Sequence, residues 1–150
     1  MLVQWDGLSF DLPALTDESV LTFVDASDAP SLSVTVTKEP LAGGKPALLR
    51  YVDAQLAHIQ RAALGYTVTS QGERAVGPPA GRSPAIHVQA TINALGSKRV
   101  QHQLYVLAGD RVVVVAITAD ATRETAALAA LAQVASSLCE LTGPEITRTP

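Results

Sequence analysis

Three histidines, one cysteine and a lysine beside two glycines are the residues from which this 150-residue chain would build metal, nucleophilic or phosphate chemistry. Zinc needs ligands at set spacings, and His58, His87 and His102 form no H-x-x-x-H pair while Cys139 has no second cysteine beside it. His58 follows Leu56 and precedes Ile59 in a helical pattern, where a solvated imidazole is the plain expectation. Cys139 sits in an apolar helical pattern and reads as a small buried side chain rather than a nucleophile; alone, it forms no internal disulfide. The "AGGKP" stretch resembles a phosphate loop, but Glu39 stands where the first P-loop glycine belongs and Pro46 where a Ser or Thr would bind magnesium. Gly-x-Ser-x-Gly, Gly-x-Gly-x-x-Gly and EF-hand patterns are absent. Asp6, Asp11, Asp17 and Glu18 fall in turns and near strand ends, where carboxylates serve solubility. The expectation is no metal, no cofactor and no enzyme, unless a constellation dispersed along the chain carries the chemistry.

What stands out instead is amides among apolar residues. In "VQHQLYVLAGDRVVVVAIT" (100–118), Gln101, Gln103, Tyr105 and Leu107 alternate with Val100, His102, Leu104 and Val106, because side chains alternate across a strand. Ala108, Gly109 and Asp110 form the turn, and Val112 to Ile117 are apolar on both faces, so that strand needs cover on both sides. The length suits one domain with a real core. A formal charge of −3, a pI near 5.5 and 4% aromatics argue against a nucleic-acid platform. "MLVQWDGLSF" lacks the basic and apolar regions of a secretory signal, and no run reaches the ~18 apolar residues of a membrane span. The expectation is a cytoplasmic protein that does not itself insert into membranes.

The elements that must position these residues follow from periodicity. "LVQWDGLSFDL" is a hairpin around Asp6 and Gly7, and 19–25 with 31–39 make a second. Pro46 to about Ala63 carries Leu49, Val52, Leu56, Ile59 and Ala63 at helical spacing, and Gly65 ends it. Strands follow at 66–74, 83–94, 98–108 and 111–118, with "AVGPPAGR" as a loop. A last helix runs from Thr122 to about Cys139, capped by Asp120 or Thr122 with Glu124 in its first turn. Its inner stripe is Leu128, Leu131, Ala135 and Leu138, with Val134 on the flank. The fold class is α+β: a curved antiparallel sheet of about six to eight strands with two main helices. Residues 1–141 are expected to form one domain and 142–150 a flexible tail. A helix covers a strip only ~10 Å wide, so apolar sheet surface is left over for a ligand, partner or second copy.

The run "YVDAQLAHIQRAALGYTVTSQGERAVGPPAGRSPAIHVQA", then "GSKRVQHQLYVLAGDRVVVVAITAD" and a short closing helix, resembles the DcrB-like domain and within it the bacterial Eag chaperones of type VI secretion. The shared features are a strand-led start such as "DGLSFDLP" and "SVLTF", the "YVxxQL" helix opening, a Gly-Arg before a long strand, and a glutamine in "HQLYV" before a very apolar strand. The resemblance covers about residues 1–139 and lies in the order and spacing of short motifs.

The resemblance implies a PsbP-like fold and a cytoplasmic homodimer that shields the N-terminal transmembrane helices of a secreted effector, of PAAR, VgrG or Rhs type, before loading on the spike. Carried over by position, its client groove takes Val20 and Thr22, then Val34 with Val36 or Thr35, then Gln55, Ile59 and Ala63 from the helix, and Gln103 from the penultimate strand. Thr22 departs from the pattern, standing where an aliphatic residue is common. A transmembrane helix in water exposes about 20 apolar side chains, each worth ~1.5–3 kcal/mol on burial, so an oily trough can hold one. Gln55 and Gln103 can donate to and accept from frayed backbone groups of such a client. Gln103→Leu is expected to leave fold and dimer intact and to weaken client capture. The alternatives are a DcrB-like module for a small ligand or lipid, with the spare surface closed into a cavity, or an envelope or assembly factor.

Overall fold

Runs of β-branched residues separated by Gly, Pro and Asp turns dictate a strand-rich chain, and two longer helical periods interrupt it. The computed structural model describes residues 2–5, 8–11, 16–17, 22–24, 31–94 and 96–140. In chain order the elements are β1 (Leu2–Trp5), β2 (Leu8–Asp11), β3 (Thr16–Asp17), β4 (Thr22–Val24), β5 (Leu32–Pro40), α1 (Gly44–Ala62), β6 (Tyr66–Val76), β7 (Ser83–Ala94), β8 (Ser97–Ala108), β9 (Arg111–Asp120), a 3-10 turn (Ala121–Arg123), α2 (Glu124–Ser137) and β10 (Cys139–Glu140). Seven strands form one antiparallel sheet in the order β3-β4-β5-β9-β8-β7-β6, and β1, β2 and β10 form a small second sheet. The expected α+β class with two main helices is what the chain adopts. Both expected early hairpins pair, with Trp5 opposite Leu8 and Thr22 opposite Thr35.

The strand apolar on both faces, β9, lies inside the sheet between β5 and β8, and each face has its own helix. Val113, Val115 and Ile117 point with Val34, Val36, Leu104 and Val106 toward α2, where Ala127, Ala130, Leu131 and Val134 meet them. Leu8 and Phe10 of β2 seal the same core, and β10 holds β2 by pairing Cys139 with Ser9. On the other face Val112, Tyr105, Ile86 and Val88 pack under Leu48, Val52 and Leu56 of α1. At ~1.5–3 kcal/mol for each large aliphatic side chain removed from water, these two cores outweigh any single hydrogen bond in the fold.

Three local expectations are corrected. On α1 the buried row is Leu48, Val52 and Leu56, while Leu49 is 37% exposed; adjacent leucines left the phase open, and the i, i+4 row starting at Leu48 is the one over the sheet. On α2 Leu128 is 46% exposed and Val134 is fully buried, because an alanine-rich helix docks closely through Ala127, Ala130 and Val134 rather than through its leucines alone. Cys139 is not helical: α2 stops at Ser137, and Cys139 enters β10, where the open edge of β2 takes up its backbone. The cap also differs, since Asp120 precedes the 3-10 turn and no side chain caps either helical start, although Glu124 does occupy the first turn of α2. α1 ends at Ala62 with Ala63 as its C-cap, so Gly65 belongs to the turn into β6 rather than to the helix end; at φ +82° it lies so close to β7 that a Cβ would strike the carbonyl oxygen of Asn93.

Candidate functional site

α1 runs over β6, β7 and β8, so the part of its sheet face built by β9 and β5 has no helix above it among the described residues. The edge of α1 that borders this strip is a row at i, i+4 spacing, Tyr51, Gln55 and Ile59, with Ala63 at the helix C-cap just beyond it, each half-buried. Tyr51 fixes which edge it is. Its hydroxyl donates to Glu39 Oε2 on β5 at 2.9 Å, and its ring meets Tyr105 edge-on with centroids 6.2 Å apart. Burial first, and then the Glu39 carboxylate, push the Tyr51 phenol up to about 12.

The floor of the trough follows from register. One transverse row joins Val88, Gln103, Ala116 and Thr35, with Thr22 next in the ladder; a second joins Gln101, Thr118 and Ser33. Val114, Ala116, Thr118, Thr35 and Ser33 are half-buried, whereas their chain neighbours Val113, Val115, Ile117 and Val34 are fully buried on the α2 face. A floor of Val, Ala, Thr and Ser beside a taller wall of Tyr, Gln and Ile is a shallow surface of mixed apolar, hydroxyl and amide character.

Two glutamines line it, with defined orientations. Gln103 Oε1 accepts from the hydroxyl of Tyr105 at 2.8 Å and more distantly from that of Tyr66 at 3.4 Å. Its Nε2 has no partner among the described residues, so its N–H groups remain for an incoming acceptor. Gln101 Nε2 donates to Thr118 Oγ1 at 3.1 Å across the strand pair. Burial drives the phenols of Tyr105 and Tyr66 above the ordinary tyrosine range, so both hydroxyls stay protonated donors at neutral pH. A cleft of about 260 Å³ is lined by Lys38, Glu39, Pro40, Asp110 and Arg111, two cations beside two carboxylates.

Of the groove residues expected from sequence, Gln55, Ile59, Ala63 and Gln103 border this trough. Val34 and Val36 do not. They are 0% and 1% exposed beneath α2, because Val34 stands opposite Ile117 and Val36 opposite Val115, both on the α2 face; Thr35 is the residue that faces the trough. Thr22 is opposite Thr35 in register, and Val20 lies outside the described residues. The sequence reading missed Tyr66 and Ala116, which the hairpin register could have placed, and Tyr51, which stands at i−4 from Gln55 on α1. It also separated His87 and His102, which the structure brings together on the α2 face, Nε2 to Nδ1 at 3.1 Å. His58 is exposed on α1. Among the described residues no group of three His, Cys, Asp or Glu is placed to hold a metal ion, and no helix is long and apolar enough to cross a membrane.

The same architecture occurs in solved structures. A Pseudomonas aeruginosa protein of unknown function, PA94, superposes with a TM-score of 0.59 at 16% identity over 98% of both chains. A Bacteroides thetaiotaomicron protein superposes with a TM-score of 0.51 at 12% identity over 96% of this chain, which spans 48% of that longer one. At such identities the likeness concerns the fold alone. No curated protein matches the sequence. The sequence profile of the DcrB family, however, matches residues 8–137, from the β2 strand that seals the α2 core to the end of α2 itself, and the chain is therefore a member of the DcrB family.

Proposed function

We propose that this DcrB-family chain is an adaptor that binds and shields an apolar helix of another polypeptide, in the manner of the secretion chaperones its sequence resembles. The client is the N-terminal transmembrane region of a type VI secretion effector, of PAAR, VgrG or Rhs type, held in the cytoplasm by a homodimer until it is loaded on the spike. The observation that carries the reading is the open strip of β9 and β5 beside α1. It carries no helix among the described residues, is floored by Ala116, Thr35 and Thr118, and is bordered by Gln55, Ile59 and Ala63. Apolar contact supplies affinity without sequence readout, which suits membrane segments of varied sequence. The Gln103 amide, its oxygen held by Tyr105, offers N–H groups to client carbonyls that a bent or frayed helix leaves unpaired.

The test is capture of a 20-residue transmembrane-helix peptide, compared with capture of a fatty acid. Ala116→Arg puts a long cation in the middle of the floor at a half-buried position, so peptide capture is expected to fall at least tenfold while the circular dichroism spectrum is kept. Undiminished capture by folded Ala116→Arg, or retention of the fatty acid with no peptide, overturns the proposal. Light scattering that gives a monomer at micromolar concentration removes the dimer.

A further inference from the structure

Beneath α2, on the face away from the trough, lies a polar cluster that peptide binding does not use. His102 is fully buried, and its ring stacks on His87 with centroids 5.3 Å apart and planes at 28°. His87 Nε2 and His102 Nδ1 are 3.1 Å apart, a hydrogen bond that requires one proton between them. The remaining ring nitrogen, His102 Nε2, is a buried side-chain atom with no hydrogen-bond partner. Around the pair stand Gln89 from β7, Arg74 from β6 and Glu124 from the first turn of α2. The Gln89 amide donates to the Glu124 carboxylate at 3.4 Å, a long and weak bond.

Counting protons fixes how this cluster responds to acid. With both rings neutral, the bridge is kept at least cost when His102 Nδ1 donates to His87 Nε2. His87 then carries its proton on Nδ1, and His102 Nε2 is bare. Adding one proton while keeping the bridge leaves a single site for it: His102 Nε2 becomes an N–H. A buried N–H without an acceptor is costly, and the Glu124 charge already favours the cationic ring. We propose that the His87–His102 pair is a proton-operated latch between the sheet and α2, in which an added proton on His102 Nε2 draws the Glu124 carboxylate away from the Gln89 amide and shifts the first turn of α2. The latch is independent of the trough, which occupies the opposite face.

Burial holds both imidazoles below the ordinary histidine range, helped at His87 by the charges of His102 and Arg74. The unfolded chain therefore takes up protons first, and stability is full above about pH 6.5 and falls as pH drops below it, by up to tenfold in the unfolding constant per pH unit and histidine.

The test is titration of the histidine ring nitrogens and the Gln89 side-chain amide by NMR between pH 8 and pH 4.5, in the unmodified chain and two variants. In the unmodified chain the Gln89 amide signals move with the midpoint of His102. Glu124→Gln removes the negative charge and lowers that midpoint, whereas Gln89→Leu frees the carboxylate and raises it, each by about half a pH unit or more. Loss of helix stability alone would move both variants the same way. A Gln89 amide that ignores the His102 titration, or midpoints unchanged in both variants, overturns the latch.

Discussion

Replacing Gln103 by leucine tests whether this amide is part of the trough's structure or only of its surface. Gln103 is 7% exposed, and its Oε1 is the acceptor for the hydroxyl of Tyr105, a residue 1% exposed. Leucine fills the volume but leaves that hydroxyl buried without a partner, at a cost of about 1–3 kcal/mol. The Tyr66 bond, at 3.4 Å, adds little. A net loss of about 2 kcal/mol corresponds to about 4–8 °C in melting temperature for a domain of this size. Gln103→Leu is therefore not the structurally silent substitution that sequence alone leads one to expect. The assay is a double-mutant cycle with Tyr105→Phe, read by urea denaturation. Once the Tyr105 hydroxyl is gone, Gln103→Leu should cost at least about 1 kcal/mol less than in the unmodified chain. Equal costs in the two backgrounds, or a melting temperature within about 1 °C of the unmodified chain, refute the reasoning.

Other substitutions probe the scaffold. Gly65→Ala combines positive φ with a clash against the Asn93 carbonyl and should lower stability by about 2 kcal/mol or more, measured by chemical denaturation. Leu131→Ala, in the α2 core, should cost about 2–5 kcal/mol, and Leu128→Ala, 46% exposed on the same helix, less than about 1; equal losses would mean that α2 is rotated from the position described. The raised phenol of Tyr51 has the opposite sign from the histidines. The unfolded chain ionises first, so stability is full below about pH 10 and declines as pH rises toward about 12; Tyr51→Phe should make that limb of the denaturation profile shallower, leaving the part that Tyr66 and Tyr105 contribute.

Much of this fold is legible in the sequence because strand alternation and turn residues agree. The meander of β7, β8 and β9 follows from "LGSK" and "AGD", and fixing those turns fixes the register, so the transverse row from Gln103 to Ala116 could have been counted out. The same counting places His102 opposite Gln89 and hence diagonal to His87, a pairing that a search for local spacing motifs does not reveal. Helix phase was less legible. Leu48 and Leu49 are equally apolar, and in α2 the alanines that make the contact carry little hydrophobic signal. Which residues of β5 face the trough was open for a related reason: Val34 and Val36 look like groove residues by type, but alternation seals them under α2 and leaves Thr35 on the other side.

The open strip itself is a consequence of topology rather than of any one residue. Seven strands at ~4.8 Å spacing span about 29 Å, while a helix covers about 10 Å. On the α2 face the shortfall is met by Leu8 and Phe10 of β2, which extend the cover beyond the helix. On the α1 face no second element does so among the described residues, and the side chains there change accordingly: Val114, Ala116 and Thr118 on β9, with Ser33 and Thr35 on β5. Val114 and Ala116 give the strip apolar surface, and the short hydroxyl side chains of Ser33, Thr35 and Thr118 are compatible with water when no partner is bound. Small Ala and Thr side chains keep the exposure tolerable and let an incoming helix approach closely. If the strip served only as spare surface, Ala116→Glu would be neutral for stability and for peptide capture alike. If it is the helix seat, the same substitution leaves stability within about 0.5 kcal/mol and abolishes capture, because a carboxylate cannot be buried unpaired against an apolar helix.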